Sequence, residues 1–270
     1  MKICSFAAIK GGVGKTTLTF NFGEWLVSNG NRVLLIDGDH QCSLSQTYDI
    51  FKAKGTIANI FLQNNENVDF IRIKENLDLI SSSLELEEIS EDLQTQSNKE
   101  LILWMWFADN FEILSKYDYI IFDSHPDFST ITKNIVAVSD VIFSPIEPSE
   151  YGFTSKDNLN ARFEELKKNL IDVRSRETFI TASKYFIGNR IKHHTNSSRE
   201  FIKTVKDEKD VIALIPEKEL FNRSTLDRTP IFNMRNDKII EQKNKIFFEE
   251  LKKIFTILKE KIDMAGDYIG

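Results

Sequence analysis

The sequence predicts an α/β fold in which a doubly wound, mostly parallel sheet is flanked by helices. Short apolar runs alternate with helical stretches along the 270 residues. Most of these runs are apolar at consecutive positions, which is typical of strands covered on both faces. A glycine-rich loop at residues 10–17 joins the first run to the first helical stretch. In such a fold, ligand chemistry is expected at the carboxyl ends of the strands.

Each predicted element follows from its local pattern. Continuous apolar runs predict strands, and apolar residues at helical spacing predict helices. The strands are expected at residues 3–9, 33–37, 77–80, 119–123, 141–146, 179–187 and 211–215. The helices are expected at residues 15–29, 98–116, 129–138, 154–169, 196–207 and 237–262. The last helix carries an apolar stripe from Ile240 to Ile262, which predicts that it docks on the core.

Two stretches, residues 52–76 and 81–98, are polar and only weakly periodic. We expect them to be insertions that lie over the sheet rather than a second domain. Neither a repeat nor a linker rich in proline, glycine or serine divides the chain, so residues 1–270 are expected to form a single domain.

Composition excludes several classes of protein. With 41% hydrophobic and 28% charged residues, the chain is not a disordered one. A net charge of −6 argues against a surface that binds nucleic acid everywhere, but not against a local basic patch. The two cysteines, Cys4 and Cys42, form no CxxC motif, which excludes a disulfide framework or a zinc ribbon and fits a reducing compartment. No apolar run is long enough to span a membrane.

The loop from Lys10 to Thr17 is the strongest functional signal. Its glycines let backbone N–H groups approach phosphates, and the helix that follows adds partial positive charge. Lys15 is expected to reach the β- and γ-phosphates of a nucleotide, Thr16 to ligate Mg²⁺, and Thr17 to support the α-phosphate. The predicted nucleotide-binding residues are Gly11, Gly12, Val13, Gly14, Lys15, Thr16 and Thr17.

Two further strands end in carboxylates. Asp37 and Asp39 follow the second strand, and Asp123 ends the strand that begins at Tyr119. We expect Asp37 to hold a water bound to Mg²⁺ and Asp39 to position or deprotonate the attacking water. Asp123 is expected to accept from waters on Mg²⁺ or from the Thr16 hydroxyl.

The loop departs from the standard P-loop pattern, because Ile9 stands where the first glycine belongs and a second lysine, Lys10, precedes the glycines. In this it resembles the deviant Walker A motif of the ParA/MinD family of dimerising P-loop ATPases. The resemblance implies an ATP-sandwich dimer in which Lys10 reaches the partner's nucleotide and joins Lys15 and Asp39 in catalysis.

The two acidic segments are also similar to that family's, which read D-x-D-P-Q and D-x-x-P. This chain has His40 where the first pattern has proline, and His125 where a small residue or proline is usual. His125 is expected to be a loop residue near phosphate, with a catalytic role as the less favoured alternative. In the back half, the resemblance implies that Asn189 contacts the adenine edge and that Pro216 packs by the base.

Basic residues concentrate in residues 184–235, where eleven lysines and arginines face seven acidic residues. A basic focus on an acidic chain can bind the phosphate backbone without reading bases. In ParA-like proteins this region forms the nonspecific DNA surface of the ATP-bound dimer. The predicted DNA-contacting residues are Arg199, Lys203 and Lys206 at helical spacing, followed by Arg223 and Arg228.

Over nearly its whole length the chain resembles short ParA-type plasmid partition ATPases. The resemblance implies a slow ATPase that needs Mg²⁺, forms a homodimer with ATP, binds nonspecific DNA and is stimulated by a centromere-binding adaptor protein. It implies a cytoplasmic protein that associates with the nucleoid when ATP is bound. Because the loop starts at Lys10, no operator-binding helix-turn-helix domain is expected before it.

Three alternatives stay open. The first is a membrane-surface spatial regulator of the MinD cell-division type, against which the acidic tail at residues 263–270 argues, so no stable membrane association is expected. The second is a metallochaperone or reductase ATPase, which the lack of paired cysteines opposes. The third is a nucleotide-sensing adaptor without turnover.

Overall fold

The computed structural model describes residues 1–52, 54–62, 67–192 and 195–266. In these ranges eight strands form one sheet. The strands are β1 (Lys2–Phe6), β2 (Val33–Gly38), β3 (Ile71–Lys74), β4 (Leu77–Ile80), β5 (Tyr119–Ser124), β6 (Val141–Ile146), β7 (Ser183–Ile191) and β8 (Val211–Pro216). Their order across the sheet is β3-β4-β2-β5-β1-β6-β7-β8.

The predicted fold class is confirmed. Neighbouring strands run parallel throughout, except that β3 pairs antiparallel with β4 at one edge. Strand β1 lies inside the sheet between β5 and β6, so the loop that leaves its carboxyl end has strands on both sides. This is the position at which open α/β sheets bind ligands.

The helices cover both faces of the sheet. Those described are α1 (Lys15–Ser28), α2 (Ser43–Thr47), α3 (Ala58–Leu62), α4 (Leu86–Asp92), α5 (Ile102–Asp109), α6 (Phe111–Leu114), α7 (Thr130–Val138), α8 (Glu150–Asn169), α9 (Asn196–Val205), α10 (Glu219–Leu226) and α11 (Lys238–Asp263). Two short 3₁₀ segments, Leu93–Thr95 and Ile231–Asn236, complete the regular structure of that part of the chain.

Several boundaries differ from the prediction. The helix expected at 98–116 is two short helices that meet at Asn110, whose backbone is non-helical. The strand expected at 179–187 begins only at Ser183, because Phe179 and Ile180 pack against the core from a loop instead. The polar stretches 52–76 and 81–98 contain β3, α3 and α4 rather than loop alone.

The core lies on both sides of the sheet, which explains the continuous apolar runs. In β1, Ile3 packs with α3, α4, α5 and α7, whereas Cys4 and Phe6 pack on the opposite face with α1 and α11. The stripe predicted for the last helix is buried from Phe247 to Ile262. The prediction that this helix docks on the core is therefore confirmed.

A buried asparagine ties the first helix to the C-terminal part of the chain. The Asn21 amide nitrogen donates to the Ser224 hydroxyl at 2.8 Å and to the Thr17 carbonyl at 2.8 Å. Its carbonyl oxygen accepts from the buried Ile231 backbone N–H at 2.8 Å. Because α1 begins at the glycine-rich loop, these bonds anchor that loop to α10 and to the 3₁₀ segment behind it.

We expect Asn21→Ala to lower the free energy of unfolding by about 2–3 kcal/mol, because the Ile231 N–H and the Ser224 hydroxyl lose buried partners. Urea unfolding followed by circular dichroism measures the loss. Asn29→Ala is the matched control, since Asn29 is exposed at the end of the same helix and its amide donates to the Trp25 carbonyl at 2.6 Å and to the exposed Ser28 hydroxyl at 3.5 Å. Equal losses in the two variants would contradict the anchoring role.

Candidate nucleotide and metal site

The glycine-rich loop adopts a backbone that side chains would obstruct. Gly12 and Gly14 have positive φ values of 76° and 94°, and Gly14 stands directly before α1. A Cβ atom on Gly14 would lie 2.5 Å from the side-chain nitrogen of Asn189. Glycine is therefore required at this position, and the N-terminus of α1 is left open toward a pocket that Lys15 and Asp39 also line.

Lys15 is held in a nearly dehydrated position. Its side chain belongs to the first turn of α1, and the residue is only 6% exposed. Burial lowers the pKa of Lys15, and the carboxylates of Asp123, Asp39 and Asp127 oppose that shift. A cation placed in this way among loop N–H groups suits the phosphates of a nucleotide.

Thr16 and Asp123 form the group expected to hold a metal ion. The Thr16 hydroxyl, one of the two partners that the sequence predicted for Asp123, donates to Asp123 Oδ2 at 2.6 Å. The second oxygen, Oδ1, is buried without a hydrogen-bond partner among the described residues. The pKa of Asp123 is raised well above its ordinary value, chiefly by burial and secondly by the neighbouring Asp37 carboxyl. A hydroxyl beside an unsatisfied carboxyl oxygen fits Mg²⁺, which prefers oxygen ligands.

Asp37 is fully buried and already has partners. Its Oδ2 accepts from the Ser45 backbone N–H at 2.8 Å and from the Ser45 hydroxyl at 2.7 Å, and its Oδ1 accepts from the Asp39 N–H at 3.2 Å. Burial raises the pKa of Asp37 to about 6, although the Ser45 bonds oppose the shift. Asp37 thus fixes the start of α2, a role that the sequence did not indicate. Its contact with a metal-bound water stays a prediction.

Asp39 faces the pocket next to two histidines. Its Oδ1 accepts from the Gln41 N–H at 2.9 Å and from His125 Nδ1 at 2.7 Å. The rings of His40 and His125 lie with their centroids 4.1 Å apart. The sequence singled out each histidine but missed that they meet, because they follow different strands and are separated by 84 intervening residues.

Lys10 is engaged within its own chain. Its ammonium group pairs with Glu147 at 2.9 Å, and the same carboxylate binds Arg190 at 3.1 Å. About a third of the Lys10 side chain remains exposed. Sequence reasoning missed Glu147, which follows β6 directly and could have been noted as a third acidic strand end near the loop.

A second pocket lies beside the loop, between the ends of β7 and β8. Its walls include both residues predicted at the base, Asn189 and Pro216, together with Gly14, Thr17 and Phe221. The Asn189 amide nitrogen donates to the Val13 carbonyl at 2.7 Å, so this residue also supports the loop. Contact of Asn189 or Pro216 with adenine stays a prediction. The pocket adjoins Gly14 and Thr17, so a base there would lie next to the phosphate loop.

The structure separates the predicted DNA-contacting residues into two groups. Arg199, Lys203 and Lys206 are exposed along α9 and its end, and none of them forms an ion pair with another described residue. By contrast, Arg223 pairs with Asp227 at 3.2 Å and Arg228 with Asp49 at 2.9 Å. The group on α9 is therefore the stronger candidate for phosphate contacts.

The features that bear on a membrane are few. Among the residues the structure describes, no helix is both long and apolar enough to cross a bilayer. The acidic tail noted in the sequence lies partly outside the described residues, which end at Gly266.

A family model, a related sequence and a solved structure each match most of this chain. Residues 1–175 match the AAA_31 family, described as an AAA domain. The sporulation initiation inhibitor protein Soj of Bacillus subtilis is 30% identical over 174 residues, which are 63% of this chain and 67% of Soj. A plasmid partition protein of Borrelia burgdorferi, crystallised with AMPPNP, is similar with a TM-score of 0.70 and 28% identity over 90% of this chain and 99% of that one.

One further relative extends well beyond the region that matches this chain. An uncharacterized protein of Mycobacterium tuberculosis is 32% identical over 152 residues, which are 54% of this chain and 46% of that protein. The match thus spans about half the length of this relative.

We expect Lys15→Ala to weaken ATP binding by about 10- to 100-fold, because it removes a buried cation from the phosphate site. Titration with a fluorescent ATP analogue at fixed Mg²⁺ measures the change. Lys252→Ala, an exposed lysine on α11, is the control and should bind as the unmodified chain does. Unchanged affinity in Lys15→Ala would show that the phosphate site lies elsewhere.

Proposed function

This chain belongs to the AAA_31 family and, as the sequence predicted, resembles its ParA-type ATPases; from that premise we propose that it is an ATP-dependent DNA partition ATPase. The observation that carries the proposal is that Lys15, Thr16 and Asp39 line one open pocket, with Asp123 hydrogen-bonded to Thr16, in a chain that also carries an exposed basic helix. Such a site binds a nucleoside triphosphate and positions water, and the helix supplies a surface for nucleic acid.

In this proposal the loop and Lys15 bind the phosphates of ATP, and Thr16 and Asp123 hold Mg²⁺, with Asp37 behind them. The metal ion supplies neutralisation of the charge that develops on the phosphates. Lys15 needs no reorganisation to act, because it is already dehydrated and directed by its helix. Asn189 and Pro216 border the place for the base.

Hydrolysis in this proposal depends on Asp39. Its carboxylate lies on the wall of the same pocket as Lys15 and Thr16, where it can orient a water toward the phosphates. The bonds from the Gln41 N–H and His125 Nδ1 hold Asp39 Oδ1 in place. The second carboxylate oxygen is left for the water.

Dimer formation would require Lys10 to change partners. In the isolated chain its ammonium group is paired with Glu147, so reaching a nucleotide on a second chain means leaving that carboxylate. A partly exposed ion pair contributes about 1 kcal/mol or less. Contacts with a triphosphate across an interface outweigh this cost, which makes the exchange dependent on ATP.

DNA binding in this proposal uses α9. One chain offers three exposed cations on α9 and at its end, Arg199, Lys203 and Lys206, which form no ion pair with another described residue, whereas an ATP-bound dimer doubles the phosphate contacts on one footprint. A centromere-binding adaptor protein would then stimulate hydrolysis and release. Such a protein would be cytoplasmic and associated with the nucleoid in its ATP-bound state.

Two substitutions separate dimer formation from hydrolysis. Asp39→Ala should bind ATP and dimerise but hydrolyse at least about 100-fold more slowly, because water is no longer positioned. Lys10→Ala should bind ATP as well as the unmodified chain but lose dimer-dependent turnover. Light scattering with and without ATP, together with phosphate release, measures both.

Glu147→Gln is the matched control for Lys10→Ala, because it removes the carboxylate that Lys10 shares with Arg190 but keeps the lysine, and it should keep dimer-dependent turnover. If Asp39→Ala stays monomeric with ATP while the unmodified chain dimerises, the assigned roles are wrong.

The DNA surface is tested by reversing charge on α9. Lys203→Glu with Lys206→Glu should weaken binding to random-sequence duplex at least about tenfold and flatten its salt dependence, because phosphate contacts are lost. Dimerisation with ATP should be unchanged. The matched control is Lys252→Glu with Lys253→Glu, on α11 at the other face of the sheet.

Fluorescence anisotropy at two salt concentrations, with ATP and Mg²⁺ present or absent, measures the binding. Binding that does not need ATP contradicts the proposed mechanism, and an unaffected Lys203/Lys206 variant contradicts the proposed surface. Sedimentation with anionic liposomes, run in parallel, tests the alternative of a membrane-surface regulator. Binding to liposomes and not to DNA would favour that alternative.

A further inference from the structure

We infer that Asp39, His40 and His125 form a binding site for a divalent transition-metal ion, with Zn²⁺ as the best match. One ligand atom from each of the three side chains lies within 4.8 Å of the other two. Two imidazoles and a carboxylate are the ligand set of many zinc sites that keep a fourth position open. Neither the nucleotide pocket nor the proposed partition activity requires such a set.

The distances suit a small rearrangement around an ion. Ligands about 2.0–2.2 Å from Zn²⁺ lie roughly 3.4 Å from one another in a tetrahedron. His125 Nδ1 and Asp39 Oδ1 are 2.7 Å apart and would separate by about 0.7 Å, while the other pairs would close by about 1.4 Å at most. Side-chain rotation at the ends of two loops supplies movements of this size.

The site is distinct in chemistry from the one proposed for Mg²⁺. Thr16 and Asp123 offer only oxygen ligands, which Mg²⁺ prefers. The histidines offer imidazole nitrogen, which binds Zn²⁺ and other first-row transition metals better than it binds Mg²⁺. The three ligands come from the segments that follow β2 and β5, which are neighbours in the sheet. The fold therefore brings them together before any ion binds.

A route to the site and a candidate fourth ligand are also present. A cavity between the end of β2 and α4 is lined by His40, His125 and Glu87, so it opens directly on the two rings. Glu87 Oε2 lies 3.9 Å from His40 Nε2, and its side chain is 70% exposed and free to turn. An ion can enter from this side without crossing the nucleotide pocket.

Occupation of this site would affect hydrolysis, a consequence that rests on the proposed function. Asp39 is the residue assigned to position water, and a metal ion on its carboxylate removes it from that task. We expect Zn²⁺ to slow ATP turnover without preventing ATP binding, because Lys15 and the glycine loop are untouched. The ion would thus act as an inhibitor whose contacts lie beside the phosphate pocket.

The first experiment uses the full chain without nucleotide or Mg²⁺, so that it does not depend on ATPase activity. Isothermal titration with ZnCl₂ should give one tightly bound ion per chain, and CoCl₂ should give the visible absorption of low-coordinate Co²⁺. His40→Gln and His125→Gln should each weaken Zn²⁺ binding at least about tenfold and abolish that absorption.

The chain's other two histidines, His193 and His194, provide the control. The double variant His193→Gln/His194→Gln should retain both the Zn²⁺ affinity and the Co²⁺ spectrum. The inference is overturned if the double variant loses them, if the unmodified chain shows no Co²⁺ band, or if His40→Gln and His125→Gln bind Zn²⁺ unchanged. Circular dichroism of each variant verifies folding, and the Co²⁺ spectrum of the unmodified chain decides the matter if a variant is unfolded.

A second measurement tests the consequence for turnover. Zn²⁺ should slow phosphate release by the unmodified chain at fixed Mg²⁺-ATP, and His40→Gln should relieve that inhibition. A chain that binds Zn²⁺ at the site but shows no ATPase activity would leave the metal site standing and refute the proposed function. Turnover that Zn²⁺ slows equally in His40→Gln would show that the ion acts elsewhere.

Discussion

Two carboxyl groups, Asp37 and Asp123, are buried side by side at the carboxyl ends of neighbouring strands. Burying two ionisable groups together is unfavourable, and the other residues of the site compensate for it. The pKa of Asp37 is about 6 in the folded chain against an ordinary 3.8. When the pKa of an acid rises on folding, the folded chain loses stability as pH increases from about 4 to 6. Keeping Asp37 ionised at neutral pH therefore lowers the free energy of unfolding by about 3 kcal/mol. The Ser45 bonds already limit the rise in the pKa of Asp37, and Thr16 and the buried Lys15 oppose the rise in the pKa of Asp123. A divalent cation beside Asp123 opposes that rise further, which links the stability of the site to its ligand.

The sequence could predict the parts of the fold and site that depend on local chemistry. Glycines that need positive φ, a lysine and threonine at the helix start, and strands covered on both faces all leave a pattern in a few consecutive residues. The hydrogen bond between Thr16 and Asp123 could be predicted for the same reason, since Asp123 ends the buried strand β5 and Thr16 lies in the first turn of the helix that follows the parallel strand β1. The distance of 107 residues between them matters little once the sheet is given.

Features set by long-range packing could not be predicted in this way. Phe179 and Ile180 look like the start of a strand, yet they are apolar because they fill the core from a loop. The ion pairs of Arg223 with Asp227 and of Arg228 with Asp49 change which cations are free, and nothing in the net charge of residues 184–235 reveals them. The contact of His40 with His125 and that of Lys10 with Glu147 likewise depend on how loops from separate strands meet.

Strand β7 connects the two halves of the proposed activity. Near its end, Asn189 binds the Val13 carbonyl of the phosphate loop, and Arg190 shares Glu147 with Lys10. A few residues later, the Ser198 hydroxyl accepts from the Lys192 backbone N–H and so holds the first turn of α9 to that strand end. If Lys10 leaves Glu147 for a nucleotide, Arg190 keeps that carboxylate alone, and the balance of charge at this strand end changes. The basic helix is therefore attached to the strand whose contacts a bound nucleotide would alter, which gives the proposed ATP-dependent DNA binding a short physical route.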